Sequence, residues 1–354
     1  MDEIVLTPHD RLLVFAPHPD DESLGCGGLI HRASKAGATV NIVFVTGGDA
    51  NPWPQRMKER RWRLNEGARL RWSAVRSAEA KAALLALGAG AARTEFLQWP
   101  DQGLTSRLFD KPIASVGRLR HILVEVQPTL VAMPSVNDSH PDHSALALML
   151  LAALRAQACP ARVLTYWLHG RTSIPTVAAS ELTLTCQEFN DKRTAALSHN
   201  SQGLFGTSRL LRFVTATEAF SPPPLESHDS KASWHWRFQS RTLLGALMCH
   251  TIKIIAISSD GTLRSRCLKL NEAIENGDVA MSRPSTMAID IELTPLWADA
   301  VWVMAKLDTP HRLNVYDSFA WSECHPQSAV ARAVNPMDIK TARRHEDVAA
   351  IADH

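Results

Sequence analysis

Four short apolar runs, at residues 12–16, 39–46, 129–133 and 163–168, each stop abruptly at a proline, a glycine or a histidine. Runs of this length with such punctuation are too short for core helices and read as strands buried on both faces. Strands of that kind belong to parallel sheets, whose crossover helices cover both sides. Helical stretches duly separate them, at 25–36, 55–87, 114–126, 142–157 and 186–198. Weaker strand signals lie at 95–97 and 211–216.

The alternation predicts an α/β fold: a Rossmann-like, mainly parallel sheet with helices on both faces. It ends at the step Ser221-Pro222-Pro223-Pro224, a boundary by composition. Beyond it, runs at 251–257, 288–292 and 300–306 read as strands with no convincing helices between them. The expected division is a first domain over 1–220, a linker over 221–234, and a β-rich accessory region over 235–354. The tail of that region, from Pro336, is charged and Ala-rich.

The first strand delivers His18, Asp20, Asp21 and Glu22 to one tight corner, and the third delivers Asn137 to His143 to another. Ligands in open α/β sheets sit just beyond the carboxyl ends of strands. His18 and Asp21 therefore form a candidate metal pair, and His143 completes a set of two His and one Asp, which leaves a coordination position open. Zn(II) is the expected ion and Fe(II) the alternative. His143 should lie in the first turn of a helix, whose positive end favours the neutral ring. Asp20 points elsewhere than Asp21 and suits a general base, unless it only caps the following helix. His140 is a candidate oxyanion donor or acid. Asp138 or Asp142 could orient a histidine through its other nitrogen, and Glu22 could hold the loop by accepting backbone N–H bonds. His169 either lines the site or is a satisfied edge histidine.

These residues resemble a known family. Pro17-His18-Pro19-Asp20-Asp21-Glu22 and His140-Pro141-Asp142-His143 are similar to the motifs of the PIG-L (LmbE-like) metal-dependent N-deacetylases. Arg76 with Glu79, the turn Pro100-Asp101-Gln102-Gly103, Lys192 with Ser201-Gln202, and Glu218-Ala219-Phe220 follow in the family's order. The resemblance covers residues 11–220. It implies removal of the acetyl group from an N-acetylglucosamine-type amino sugar or its conjugate. It assigns His18, Asp21 and His143 to one divalent metal and Asp20 to the general base. By the same resemblance Arg76 and Asp101 are substrate contacts; by composition alone they could be a helical surface pair and a turn residue.

Two readings compete: an amidase cleaving a larger, thiol-conjugate-like amide with the same site, and a non-catalytic carbohydrate-binding protein. Dinucleotide binding at Gly25-Cys26-Gly27-Gly28 is disfavoured, because the full spacing is missing and Asp20 and Asp21 would repel a pyrophosphate. A net charge of +2 carries no global nucleic-acid signature. One local excess stands out: the segment from Arg56 to Arg76 is dense in Arg and Trp. That is either a basic rim for an anionic or aromatic substrate or a solvated helix with its Trp side chains packed inward. The six scattered Cys fit a reducing compartment. No leader-like start and no apolar run long enough for a membrane span is seen, so a cytoplasmic protein with no membrane anchor and a small-molecule partner is expected.

Overall fold

The computed structural model describes residues 4–170, 180–203, 207–223, 233–240, 251–269, 272, 279–282, 287–293, 299–308 and 321–327. The Pro336 tail, Cys249 and most of the expected linker lie outside the described residues. The chain begins β1 (Arg11–Ala16), α1 (Asp21–Lys35), β2 (Thr39–Thr46), α2 (Pro52–Glu59), α3 (Glu66–Ala86) and β3 (Arg93–Trp99). It continues α4 (Leu104–Asp110), α5 (Pro112–Val126), β4 (Leu130–Pro134), α6 (Pro141–Ala156) and β5 (Arg162–Tyr166). These strands form one parallel sheet in the order β3-β2-β1-β4-β5. The expected α/β architecture is present.

Strand β1 is central, and Leu12 to Ala16 are fully buried in it. On one face, Leu12, Val14 and Ala16 pack with Leu29 and Ile30 of α1 and Ala80 and Leu84 of α3. On the other, Leu13 and Phe15 pack with Leu119 of α5 and Leu146 and Leu150 of α6. The chain moves outward from β1 through β2 to β3, then returns to place β4 on the free side of β1. That reversal opens a crevice at the carboxyl ends of β1 and β4, the place where such sheets hold ligands.

A second layer follows: β6 (Ser180–Thr183), α7 (Cys186–Ser198), α8 (Ser208–Leu211) and β7 (Thr217–Phe220). β6 pairs antiparallel with β7. Helix α7 carries a full capping box between Thr185 and Glu188. The predicted strand at 211–216 is not there. Leu210, Phe213 and Val214 recur at helical spacing and pack together with Leu24 and Ala196, while the strand begins only at Thr217. The single helical stretch expected over 55–87 is two helices. Arg60 takes a left-handed φ of 53° and ends α2, and Asn65 starts α3 anew by accepting from the Ala68 N–H at 2.9 Å. Helix α4 and strand β6 had no expectation at all.

The C-terminal region contains β8 (Ser233–Ser240), β9 (Thr251–Ser258), β10 (Leu263–Lys269), β11 (Val279–Ser282), β12 (Met287–Leu293), β13 (Ala300–Asp308), β14 (Ser322–Glu323) and β15 (His325–Gln327). They form two antiparallel four-stranded sheets, β10-β9-β13-β14 and β11-β12-β8-β15. The first lies against α5 and α6. Ile255, Ile257, Trp302 and Met304 join the same apolar cluster as Leu146 and Leu150. A β-carbon at Gly261 would fall 2.4 Å from the backbone nitrogen of Ala156, so the β9–β10 turn sits directly on the end of α6. Among the described residues no helix is long and apolar enough to cross a membrane. Because Trp302 is 1% exposed within a shared core, Trp302→Ala should cost about 3–5 kcal/mol. Chemical denaturation should show that loss in the unfolding of the parallel-sheet half as well.

Candidate metal and catalytic site

All five parallel strands send residues to the crevice. The β1 loop supplies His18, Asp20 and Asp21, and the β4 loop supplies Asp138, His140, Asp142 and His143. The β2 and β3 loops add Ala50 and Asp101, and the end of β5 adds His169. Of these, His18, Asp20, Asp21, Ala50, Asp101, His140 and His169 line, with Arg76 of α3, a cavity of about 380 Å³, within the range of small-molecule sites.

The two motifs converge on one oxygen. Asp21 Oδ2 lies 3.1 Å from His18 Nδ1 and 3.2 Å from His143 Nε2. The three residues assigned to the metal from sequence are thus brought together, although 122 residues separate Asp21 from His143. His140 and His169 stand close behind them, with ring centroids 5.0 Å from that of His143. Three sets of donor atoms close enough to share an ion occur here: His18 with His140 and His143, Asp21 with His143 and His169, and His18 with Asp101 and Asp142.

Backbone N–H groups and carboxylates fix each ring. Asp138 accepts from the N–H of His140 at 2.9 Å, Leu168 at 3.0 Å and His169 at 3.1 Å. Its Oδ2 lies 3.2 Å from His143 Nδ1, so it turns the opposite nitrogen of His143 toward Asp21. Asp142 accepts from the N–H of Gln102 at 2.7 Å and of Leu104 at 3.0 Å and lies 3.3 Å from His18 Nε2. Asp101 sits at the same His18 nitrogen, 3.2 Å away, and accepts from the Ala50 N–H at 2.6 Å. His140 caps α6, its Nδ1 accepting the Asp142 N–H at 3.2 Å. A neutral His140 therefore carries its proton on Nε2.

Electrostatics differ from the expectation at one point. The helix end was expected to keep His143 neutral. Burial does act in that direction, but the flanking carboxylates of Asp21 and Asp138 push its pKa up to about 10. Burial likewise lowers that of His18, and Asp101, Asp142 and Asp21 more than reverse it. His140 is held well below the usual imidazole range, by burial first and then by the neighbouring histidines, with Asp21 opposing them. Five buried or nearly buried carboxylates surround two imidazoles and one guanidinium. Both ring nitrogens of His143 are buried without an aligned hydrogen bond. A cluster rich in anionic oxygens, with an imidazole whose nitrogens lack aligned donors or acceptors, fits a divalent cation.

Asp20 occupies the N-cap position of α1, but its side chain makes no capping hydrogen bond, and its φ is 133°. Non-glycine residues held there store about 1–3 kcal/mol of strain. Arg76 holds the carboxylate: its guanidinium lies 3.0 Å from Asp20 Oδ2 and donates to Gly48 O at 2.7 Å and to Pro19 O. Burial raises the Asp20 pKa, Arg76 opposes it, and Asp21 adds to it; the outcome is about 6. Arg76 and Asp101 do line the cavity, and both are already bonded within the site.

Of the supports behind the site, His199 had no local sequence signal. Glu22 accepts from the Asp20 N–H at 2.9 Å and from Ser23 Oγ at 2.7 Å, and pairs with His199 Nε2 at 3.1 Å. His199 is fully buried at the end of α7, 177 residues away, and only tertiary contact reveals it. Glu79 accepts from both the N–H and the hydroxyl of Ser201, at 2.9 and 2.6 Å. Lys192 donates to Glu218 at 2.7 Å, and Glu218 also accepts the N–H groups of Gly28 and Leu29. The residues quoted from the family's later motifs thus brace α1 and α3. Cys26 is fully buried in α1 among apolar neighbours.

Residues 13–154 match the family described as PIG-L: GlcNAc-PI de-N-acetylase. The chain is 33% identical over 143 residues to the 1D-myo-inositol 2-acetamido-2-deoxy-alpha-D-glucopyranoside deacetylase of Mycobacterium bovis (38% of this chain, 47% of that protein), and equally to the Mycobacterium tuberculosis enzyme of that name. The match thus spans about half the length of these curated relatives. Among solved structures, a conserved protein of Thermus thermophilus aligns with a TM-score of 0.45 and 26% identity, over 61% of this chain and 96% of that one. The N,N'-diacetylchitobiose deacetylase of Pyrococcus horikoshii aligns with a TM-score of 0.46 and 22% identity, over 60% and 83%.

Glu22 is wholly buried, so removing its imidazole partner leaves a charged group short of a donor. His199→Leu should cost about 1–3 kcal/mol or more of stability, read by chemical denaturation. Unchanged stability would show that Ser23 and the Asp20 N–H suffice.

Proposed function

From a chain whose residues 13–154 are a PIG-L family domain, we propose a metal-dependent hydrolase that removes the acetyl group from an N-acetylglucosamine-type amino sugar or its conjugate. His18, Asp21 and His143 would hold the metal, with Zn(II) expected first and Fe(II) second. A divalent ion so held supplies Lewis-acid chemistry and brings the pKa of water toward neutrality.

The observation that carries the reading is Asp20. It stands where capping is the ordinary role of an aspartate, yet its carboxylate caps nothing and is held at the cavity by Arg76. With a pKa near 6 it is ionised at neutral pH and still basic enough to take a proton from attacking water. His140, neutral with its proton on Nε2, donates that N–H as a hydrogen bond to the oxyanion, and Asp20 passes the proton it took from water to the departing amine. Water thus adds across the amide C–N bond, the acyl carbon leaves as acetate, and the nitrogen leaves as a free amine. Asp138 and Asp142 orient His143 and His18, and Glu22 fixes the strained Asp20 loop. Arg76 and Asp101 form the wall that the sugar meets. The name of the mycobacterial relatives, a deacetylase of an inositol-linked 2-acetamido sugar, supports the substrate class.

Residues 1–220 are the proposed catalytic unit and 221–234 the linker. The region 235–354 is proposed as an accessory layer, with its β9 sheet against α5 and α6.

The test is acetate release from N-acetylglucosamine and its glycosides by wild type and Asp20→Asn. The variant should lose about 10²–10⁴-fold in kcat while keeping its bound metal. A variant that stays fully active would remove Asp20 from the chemistry.

A further inference from the structure

Eight large apolar side chains are prominently exposed among the described residues, and four of them lie between positions 53 and 70: Trp53, Met57, Trp62 and Leu70. Trp62 is 78% exposed, the highest value for an aromatic in that set. The same stretch, taken from Pro52 to Arg71, carries seven cations against two acids. Its net charge of +5 exceeds the +2 of the whole chain, so the remainder is net acidic. Trp72, by contrast, is buried, so the expectation that the Trp side chains of this segment pack inward holds for Trp72 and fails for Trp62.

Internal pairing consumes little of this charge. Arg71 bridges to Glu59 at 2.9 Å, Arg56 lies over the Trp53 ring and Lys58 over Trp72. Arg60, Arg61, Arg63 and Arg69 are exposed and form no ion pair among the described residues. Trp53 and Met57, four residues apart, share one face of α2. The start of that helix, Pro52 to Pro54, is also a wall of the catalytic cavity. The patch therefore borders the mouth of the site.

Large apolar side chains left in water beside unpaired arginines need a partner that satisfies both. A small anion or a nucleic acid would engage the arginines and leave Met57 and Leu70 exposed. A second copy docked patch to patch would bring like charge against like. An anionic bilayer offers charged headgroups to the arginines and, just below them, an apolar boundary suited to Trp, Met and Leu. We propose that residues 53–71 dock this chain on an anionic lipid surface, with the cavity mouth at that surface. The inference is independent of the reaction assigned above.

The experiment is co-sedimentation of the full chain with vesicles of equal phosphatidylglycerol and phosphatidylcholine, and with phosphatidylcholine alone, while tryptophan emission is followed. Binding should favour the anionic vesicles by at least about tenfold, shift the emission to the blue, and weaken in high salt. Arg60/Arg61/Arg63→Gln should weaken it by roughly a hundredfold, and Trp62→Ser by about tenfold with most of the blue shift lost. All four positions are exposed, and circular dichroism checks that the variants fold. Equal binding to both kinds of vesicle would overturn the proposal. So would Trp62→Ser binding as tightly as wild type, or duplex DNA binding more tightly than the anionic vesicles with no dependence on Trp62.

Discussion

A surplus of buried negative charge at the ends of β1 and β4 is the constraint around which this molecule is arranged. Asp21, Asp101, Asp138 and Asp142 lie within a few ångströms of His18 and His143, and Asp20 stands partly buried beside them with Arg76. Removing carboxylates from water is costly unless they are paired and hydrogen-bonded. Here the loops turn their backbone N–H groups inward, onto Asp138 and Asp142 in particular, and His18 and His143 are drawn toward the protonated state. A divalent ion in place of those protons would neutralise the cluster more completely, and the donor atoms already face one another.

The rest of the fold keeps these groups from relaxing apart. Glu22, tied to Ser23 and His199, fixes the loop that strains Asp20. Ser201 and Glu79 join the end of α7 to α3, which carries Arg76. Lys192 and Glu218 clamp α1 from outside. Each brace is a buried polar pair linking elements distant in sequence, and each holds the helix whose first turn or inner face carries a site residue. Farther out, the β9 sheet completes the apolar cover over α6, whose first turn bears His143.

Much of this was legible in the chain. Runs at 12–16 and 129–133 announce themselves as buried strands, and the histidines and acids that follow them sit where sheet topology puts ligands. Local patterns could not show which of two competing uses a residue serves. Asp20 has the position of a cap and the environment of a base, and only its contact with Arg76, far along the chain, separates the two. His199 carries no signal near it. The strand expected at 211–216 failed because Leu210, Phe213 and Val214 obey helical spacing against Leu24, a contact that a window along the sequence does not contain. The break between α2 and α3 was obscured by strong helix formers on both sides, although Asn65 was available as a start signal.

The central claim is that His18, Asp21 and His143 hold one divalent metal. Elemental analysis of wild type and His143→Ala, prepared side by side without oxygen, tests it most directly. The account predicts one zinc or iron per chain in wild type and none in the folded variant. A folded wild type that takes up neither ion after reconstitution would contradict it.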